Sequence, residues 1–480
     1  MTADTEVAVI GAGPAGMWAA ITAARSGCHV TLIDAYARPG GQYYKQMPRQ
    51  FKASAPNALH HDFGRAEAVM AQLQESNRVT ILSGTSVWSA HAASDKITLY
   101  LNNQEGSSEL YARTLVLTPG AYDRALPFPG WDLPGVMTAG AMQTLVKSQR
   151  VLPGRRIVLS GSGPFLMPVA AALAEAGADV LAVYEATHPR RQAQYGPQLW
   201  GHWDKLLEAQ AYLRILARHR VPVKFGRAVV RAEGDGQVRR VAVARLNADW
   251  SPRADSEEYL DVDALGIGYG FVPSTELSYL LGCEHRYDSL QGAFFARHST
   301  QMASSRKGIF VAGEITGIGG SSVARLQGTI AGYTAARWLT RLTDEQTRAA
   351  SAPYMKQLRH QQAFASLLHS LYRVRPGWQE WLTSDTVICR CEEVSYGKVE
   401  EAVTQFGASD VKTVKSLTRC GMGLCQGRVC GPNVTAITAA LSNRSPEQVG
   451  ALSTRPIVKP ITLGALIEAA PQTPSDHPIR

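Results

Sequence analysis

Short apolar runs recur along this chain, and each is followed by a glycine-rich turn and then by an alanine-rich stretch. The run VAVIG ends at Gly11 and precedes Met17–Ala24, whereas RIVLSGSGP begins at Arg156 and precedes Val169–Ala176. Continuous apolar runs are typical of strands buried on both faces of a parallel sheet, and alanine favours helix. The pattern therefore predicts two βαβ units.

Further apolar runs extend both units into a larger α/β fold. TLVLTPGA (Thr114–Ala121) and IFVAGEITGIGG (Ile309–Gly320) predict buried strands that end in glycine turns, and SVARLQGTIAGYTAARWL predicts a long helix after the second. The alternating stretches RVTIL and KITLYL predict strands of a small sheet. VPVKFGRAVVRAEG and QVRRVAVARLN predict a hairpin in the middle of the chain.

The first unit carries the pattern of a dinucleotide-binding loop. Gly11 allows the tight turn, Gly13 lets the backbone approach a pyrophosphate, and Gly16 lets the helix pack on the strand. The next strand, HVTLI, ends at Asp34, whose carboxylate suits a ribose hydroxyl. An ordinary glycine-rich turn is the alternative, but strand, helix, second strand and acid in register favour dinucleotide binding.

The second unit departs from that pattern at its third glycine. Leu166 stands where Gly16 stands in the first unit, while Glu185 takes the place of the ribose acid. A bulky side chain at this position removes the close contact between helix and strand. A duplicated scaffold is therefore favoured over a working nicotinamide site.

Composition narrows the class of protein. The 480 residues are 45% hydrophobic and 19% charged, which is typical of a globular protein of several domains. No apolar run reaches the length that spans a bilayer, and Asp4 and Glu6 have the wrong charge for a secretory signal, so we expect a cytoplasmic protein. The formal charge of +9 is scattered, and no basic tract is interleaved with aromatics, which argues against nucleic acid as a partner.

Five of the seven cysteines lie between Cys389 and Cys430, in ICRCEEV and TRCGMGLCQGRVC. Thiolates among glycines suit a metal centre with four soft ligands, and zinc is the alternative to iron and sulfide. Cys28 and Cys283 are isolated in sequence, so the chain lacks the short Cys-x(2 to 4)-Cys motif of a disulfide reductase beside the first glycine loop.

The two glycine loops, with GAGPAG, LTPGA and VAGE, resemble the two-dinucleotide-binding flavoprotein family that includes glutathione and thioredoxin reductases. The resemblance covers about residues 5 to 340 and implies an α/β, glutathione reductase-like fold that binds FAD. It also implies contacts to FAD from a set of residues carried over by position: Gly11, Gly13, Pro14, Ala15, Gly16, Asp34, Gly41, Gln42, Gly120, Gly313 and Glu314. The family usually has Asp where this chain has Glu314.

The cysteine-rich segment, about residues 386 to 440, is similar to the small helical [2Fe-2S] domain of the bacterioferritin-associated ferredoxin type. This resemblance implies iron and sulfide rather than zinc. It implies as ligands Cys389, Cys391, Cys425 and Cys430. Cys420 is then a neighbour, since related sequences often have alanine there.

Together these features resemble the alpha (A) subunit of multi-subunit amine and imino acid dehydrogenases, such as opine oxidase, D-hydroxyproline dehydrogenase and hydrogen cyanide synthase. The resemblance implies an FAD and [2Fe-2S] electron-transfer subunit, an FAD-containing beta subunit with the substrate site, a small gamma subunit, and an acceptor protein or respiratory chain. Some relatives imply FMN at a subunit interface, whereas binding of NAD(P) or ATP to the second unit is not favoured, because that unit is read as a scaffold. The residues mark no catalytic acid or base. The alternatives are an NAD(P)H-dependent reductase and a non-catalytic assembly subunit.

The expected domain organisation follows from these assignments. Residues 1–150 and 262–340 form a discontinuous FAD domain, and 151–261 form the second, degenerate nucleotide domain. Residues 341–385 form a helix-prone linker, 386–445 the [2Fe-2S] domain and 446–480 an extended tail.

Overall fold

The computed structural model describes residues 3–48, 50–51, 63–93, 96–188, 203–452 and 456–469. Within these ranges the chain forms two α/β units, a pair of long helices and a small C-terminal unit. Among the helices described, none combines the length and the apolar character that crossing a membrane requires.

The first α/β unit contains a seven-stranded sheet in the order β3-β2-β1-β6-β5-β4, with β19 pairing alongside β6. Strands β1, β2, β3, β6 and β19 run parallel, whereas β4 and β5 form an antiparallel extension. Its elements are β1 (Ala3–Ile10), α1 (Pro14–Arg25), β2 (Val30–Asp34), α2 (Phe63–Gln74), β3 (Val79–Ser83), β4 (Ser86–Ala92), β5 (Ile97–Asn103), β6 (Gly106–Leu117) and β19 (Ile309–Val311).

The second unit has a five-stranded sheet, β11-β10-β9-β15-β8, and a three-stranded sheet, β12-β13-β14. The predicted hairpin is formed by β12 and β13. The elements of this region are β7 (Ala121–Asp123), β8 (Val136–Thr138), α3 (Ala139–Thr144), a π-helical turn (Leu145–Gln149), β9 (Arg156–Gly161), α4 (Leu166–Glu175), β10 (Asp179–Glu185), α5 (Trp203–Arg218), β11 (Val223–Phe225), β12 (Arg227–Glu233), β13 (Arg240–Arg245), β14 (Glu258–Asp261), β15 (Ala264–Gly268) and β16 (Phe271–Pro273). Strand β8 pairs with β15 in this sheet, although β8 precedes residue 151, where the second domain is predicted to begin. The position of the domain boundary stays a prediction.

The chain returns to the first unit and then leaves it through two long helices. The elements are α6 (Glu276–Leu280), β17 (His285–Asp288), β18 (Ala293–Ala296), a 3₁₀ turn (Glu314–Thr316), α7 (Gly320–Trp338), α8 (Asp344–Leu371) and a 3₁₀ turn (Pro376–Trp381). Helix α7 crosses α1 closely: a Cβ on Gly328 would lie 2.0 Å from the carbonyl oxygen of Ala15, so only glycine fits there. The contact fixes α7 against the start of α1.

The C-terminal unit consists of β20 (Val387–Cys389), β21 (Val394–Ser395), α9 (Tyr396–Thr404), α10 (Val411–Thr418), α11 (Gly431–Leu441), α12 (Pro446–Val449) and α13 (Leu463–Ala469). It shares one continuous apolar core with the second α/β unit. The indole N–H of Trp131 donates to the Val387 carbonyl at 2.5 Å, and the Asn433 amide donates to the Ala125 carbonyl at 2.9 Å. Buried hydrogen bonds of this kind fix the orientation of the C-terminal unit.

The tail is predicted to be extended, and its described part also contains α12 and α13, of which α13 lies next to β6. Between the two helices, the N–H of Val458 donates to the Trp88 carbonyl at 2.8 Å and the Ser89 hydroxyl donates to the Pro456 carbonyl at 2.8 Å. The first unit therefore supplies the surface that the segment follows.

Candidate functional site

The predicted dinucleotide loop joins β1 to α1. Gly11 has φ of 98°, and a Cβ on Gly16 would lie 1.8 Å from the Gly11 carbonyl oxygen. A Cβ on Gly13, in contrast, would meet only Gly41 Cα at 3.9 Å. Gly13 is also the residue before α1, and it offers no side chain to cap the first N–H groups of the helix. These N–H groups and the helix dipole suit a pyrophosphate, so the loop fits the group predicted for it.

Asp34 ends β2 beside this loop. Its two carboxylate oxygens accept N–H groups from Ala12 at 2.5 Å and from Tyr36 at 2.7 Å. Burial raises the pKa of Asp34, and the two backbone hydrogen bonds act in the opposite direction. Each oxygen keeps a lone pair, so the carboxylate is held in one orientation while it can still accept a ribose hydroxyl.

Other residues predicted to contact FAD lie in two loops and in the first turn of α1. Gly41 packs on Gly13, whereas the Gln42 amide lies further out and donates to the Tyr36 hydroxyl at 2.8 Å. Gly120 has φ of 79° and lies in the loop after β6. Pro14 and Ala15 form the first turn of α1. The structure thus collects Gly41, Pro14 and Ala15 at the glycine loop, with Gln42 at its rim.

Gly313 and Glu314 follow β19 and lie close to α1. A Cβ on Gly313 would come within 3.0 Å of the Ala15 Cβ, and the Gly313 N–H donates to Gln327 at 2.8 Å. The Glu314 carboxylate accepts N–H groups from Gly319 at 3.3 Å and Gly320 at 2.9 Å, at the start of α7. Burial raises the pKa of Glu314 to about 7. The carboxylate therefore lies at the positive end of a long helix dipole.

Two residues that support this site were not singled out in the sequence, although Thr118 lies within the quoted motif LTPGA. Gln327 lies in the middle of α7 and accepts both the Gly313 N–H and the Thr316 hydroxyl. Thr118 donates its hydroxyl to the carbonyls of Ile10 and Gly11, both at 2.8 Å. Both act on the glycine loops from elements distant in sequence.

The second nucleotide unit keeps the acid of the first but packs its helix differently. Glu185 accepts N–H groups from Gly163 at 2.9 Å and Thr187 at 2.8 Å, as Asp34 does in the first unit. Leu166 begins α4, is 2% exposed and packs on Gly268 of the sheet. Helix α4 thus begins at the third glycine's position, whereas α1 begins two residues before Gly16.

The predicted metal ligands meet at one cavity. Cys389, Cys391, Cys425 and Cys430 all line a cavity of about 220 Å³, together with Trp131, Thr138 and other residues of the second unit. All seven cysteines of the chain are free. Four thiols around one enclosed space are the donor set of a [2Fe-2S] cluster, so the residues fit this group.

The surroundings of the cavity favour a thiolate at Cys389 and Cys425, whereas the pKa of Cys391 is raised by burial and that of Cys430 by its hydrogen bonds to the neighbouring thiols. The N–H of Gly421 donates to the Cys389 sulfur at 3.4 Å, and a Cβ on Gly423 would lie 2.2 Å from the Cys391 Cβ. Hydrogen bonds from the Cys420 and Cys430 side chains lower the pKa of Cys389 to about 2. A hydrogen bond from Cys430 lowers the pKa of Cys425 to about 5. Thiolates are the form that binds soft metal ions.

Arg428 ties the cysteine-rich loop to the first unit. Its side chain lies 2.8 Å from the Glu276 carboxylate of α6, and it donates to the Cys425 carbonyl at 3.1 Å and to the Val458 carbonyl at 2.5 Å. The guanidinium also lies 5.7 Å from the centre of the Tyr122 ring. Sequence reasoning missed this residue, although it stands inside the quoted motif GMGLCQGRVC.

Comparisons with known proteins agree with both sites. Residues 5–338 match the pyridine nucleotide-disulphide oxidoreductase family, and residues 387–440 match the BFD-like [2Fe-2S] binding domain. The A-type subunit of opine oxidase from Rhizobium meliloti is 32% identical over 96% of this chain and 87% of its own length. The HcnB subunit of hydrogen cyanide synthase from Pseudomonas aeruginosa is 34% identical over 88% of this chain and 90% of its own length.

A solved structure of L-proline dehydrogenase from P. horikoshii shares the fold with a TM-score of 0.71. It is 22% identical, covering 97% of this chain and 80% of that one. The shared fold confirms the predicted fold class, and the two family matches confirm FAD and [2Fe-2S]. The individual FAD contacts and the four cysteine ligands stay predictions.

Proposed function

Because this chain belongs to the pyridine nucleotide-disulphide oxidoreductase family, in the group that includes the A-type subunit of opine oxidase and the HcnB subunit of hydrogen cyanide synthase, we propose that it is the electron-transfer subunit of a heteromeric dehydrogenase. The complex oxidises a C–N bond of an opine, an imino acid or an amino acid. The relatives are named as subunits, so this oxidoreductase works with other polypeptides.

One observation carries the proposal: a dinucleotide cradle and a four-cysteine cavity are held together in a single packed chain. The C-terminal unit shares its core with the second α/β unit, and Arg428 joins its cysteine loop to Glu276 of the returning segment. A protein that only bound nucleotide would not need the second centre. When bound, FAD supplies two-electron chemistry, whereas a [2Fe-2S] cluster accepts single electrons.

The residues of this chain hold and orient these groups. The N–H groups at the start of α1 bind the pyrophosphate, and Asp34 accepts a ribose hydroxyl. Cys389, Cys391, Cys425 and Cys430 bind the iron. We assign no catalytic acid or base to the chain, which agrees with a substrate site on a different polypeptide of the complex.

The proposed partners follow from this division of labour. An FAD-containing beta subunit carries the substrate site, a small gamma subunit completes the complex, and an acceptor protein or the respiratory chain takes the electrons. FMN at the interface of the subunits is part of the proposal. The second nucleotide unit serves chiefly as a scaffold, since Leu166 occupies the place of the third glycine.

The test is co-purification from the native host followed by anaerobic titration with octopine, nopaline, D-hydroxyproline and glycine. We expect one of these to reduce the cluster, seen by EPR, in the complex but not in the isolated chain. Turnover by the isolated chain would refute the proposed division of labour between polypeptides.

Two further outcomes separate the alternatives. Rapid bleaching of the flavin by NADH would favour a stand-alone reductase. A cluster that stays oxidised while the complex turns over would favour an assembly role. Iron and acid-labile sulfide analysis of the same sample distinguishes a [2Fe-2S] centre from zinc.

A further inference from the structure

Cys420 is a fifth cysteine beside the four predicted ligands. Its side chain is fully buried, and its sulfur lies with those of Cys389 and Cys430 in a group whose members are all within 4.8 Å of one another. Five thiols therefore surround one centre that takes four ligands. The position of each sulfur relative to the cavity separates Cys420 from the others.

The cavity is lined by Cys389, Cys391, Cys425 and Cys430, and Cys420 is not among its lining residues. Cys420 shares the apolar core with Cys389 and Cys430, so its absence from the cavity lining is what distinguishes it from them. Its sulfur thus lies within 4.8 Å of the Cys389 and Cys430 sulfurs but away from the space that the cluster would fill.

The backbone around Cys420 turns toward Cys389. Arg419 and Gly421 both have left-handed backbones, with φ of 66° and 83°. The Gly421 N–H donates to the Cys389 sulfur at 3.4 Å, and the Cys420 sulfur lies within 4.8 Å of the same sulfur. Two adjacent residues of one turn therefore place an N–H and an S–H beside a single predicted ligand.

We propose that Cys420 is a positioning residue whose S–H donates a hydrogen bond to the Cys389 sulfur and so raises the reduction potential of the [2Fe-2S] cluster. A donor to a ligand sulfur stabilises the reduced, more negative cluster more than the oxidised one. The inference rests on the proposed ligand set, because it requires Cys389 to bind iron and Cys420 not to.

The experiment compares Cys420→Ala, which removes the donor, with Cys420→Ser, which keeps one. Each variant is purified anaerobically as the full chain, and iron and acid-labile sulfide are measured. The cluster potential is then determined by EPR-monitored redox titration. Cys283→Ala, which removes a buried thiol near Ser304 in the first unit, is the matched control.

We expect full iron and sulfide in both variants, a lower potential with shifted EPR g-values in Cys420→Ala, and values closer to wild type in Cys420→Ser. Cys283→Ala should match wild type. Loss of iron in Cys420→Ala would make Cys420 a ligand and overturn the proposal, and so would an unchanged potential and spectrum. A wild-type chain without iron and sulfide would contradict the cofactor assignment itself, which distinguishes the two failures.

Discussion

Replacement of Arg428 by Gln tests whether one side chain holds the cysteine loop on the rest of the molecule. The Arg428 and Glu276 side chains are 10% and 20% exposed, and they lie 2.8 Å apart. The same guanidinium donates to the carbonyls of Cys425 and Val458. Removing the charge leaves the Glu276 carboxylate without its cation and these carbonyls without their donor, while Gln keeps part of the side-chain volume.

The expected cost follows from this burial. Breaking a buried ion pair by removing one partner costs about 3–5 kcal/mol of stability. Because both side chains here keep some exposure, we expect a cost at the lower end, about 3 kcal/mol. Arg419 provides a matched control, since it pairs with Glu392 at 2.9 Å but its side chain is 70% exposed. An exposed pair contributes about 0–1 kcal/mol, so Arg419→Gln should change little.

The assay is urea unfolding of the loaded protein, followed by the visible absorbance of the cluster. Because a protein of several domains does not unfold in one step, the midpoint of this transition is compared rather than a total free energy. With a slope of about 2 kcal/mol per molar urea, Arg428→Gln should lower the midpoint by about 1.5 M and Arg419→Gln by less than about 0.5 M. Equal midpoints for the two variants would refute the reasoning.

Three further predictions concern the flavin site. Gly16→Ala should abolish flavin retention and disturb the fold, because its Cβ would lie 1.8 Å from the Gly11 oxygen. Gly13→Ala should lose flavin but keep the fold, because its Cβ would meet only Gly41 at 3.9 Å. Circular dichroism and flavin content distinguish the two variants. Asp34→Asn should weaken flavin binding by about tenfold or more, measured by fluorescence titration, since its NH2 group must face one of the two N–H groups that the carboxylate accepts; unchanged binding would contradict the ribose role. Burial raises the pKa of Glu314 from its ordinary value of 4.5 to about 7, so the unfolded chain loses this proton at a lower pH than the folded chain does. The melting temperature of the flavin-free protein should therefore fall as pH rises between these values and level off above them, and Glu314→Gln should remove that part of the pH dependence.

The glycine loop and the cysteine motif were predictable because their signals are local. A strand, three spaced glycines and a helix state the geometry of the loop within a few residues, and Asp34 follows at the end of the next strand. The second unit has Leu166 at the position that corresponds to Gly16, and this difference was equally visible in the sequence. Helix α4 begins at Leu166, whereas α1 begins at Pro14, two residues before Gly16. The extended tail stays a prediction, although its described part also contains α12 and α13, and α13 packs beside a strand that is distant in sequence.

The sequence alone determined that the chain carries a dinucleotide loop and a four-thiol metal centre, since both signals lie within short stretches, and its resemblance to known families selected FAD and [2Fe-2S]. Only the tertiary structure decided which of the neighbouring thiols faces the cavity. Cys420 and Cys425 belong to the same short motif in sequence, but only Cys425 lines the cavity. It also decided the role of Arg428, whose partners lie on other elements. Contacts of that kind depend on how separate elements pack, and no pattern of neighbouring residues records that packing.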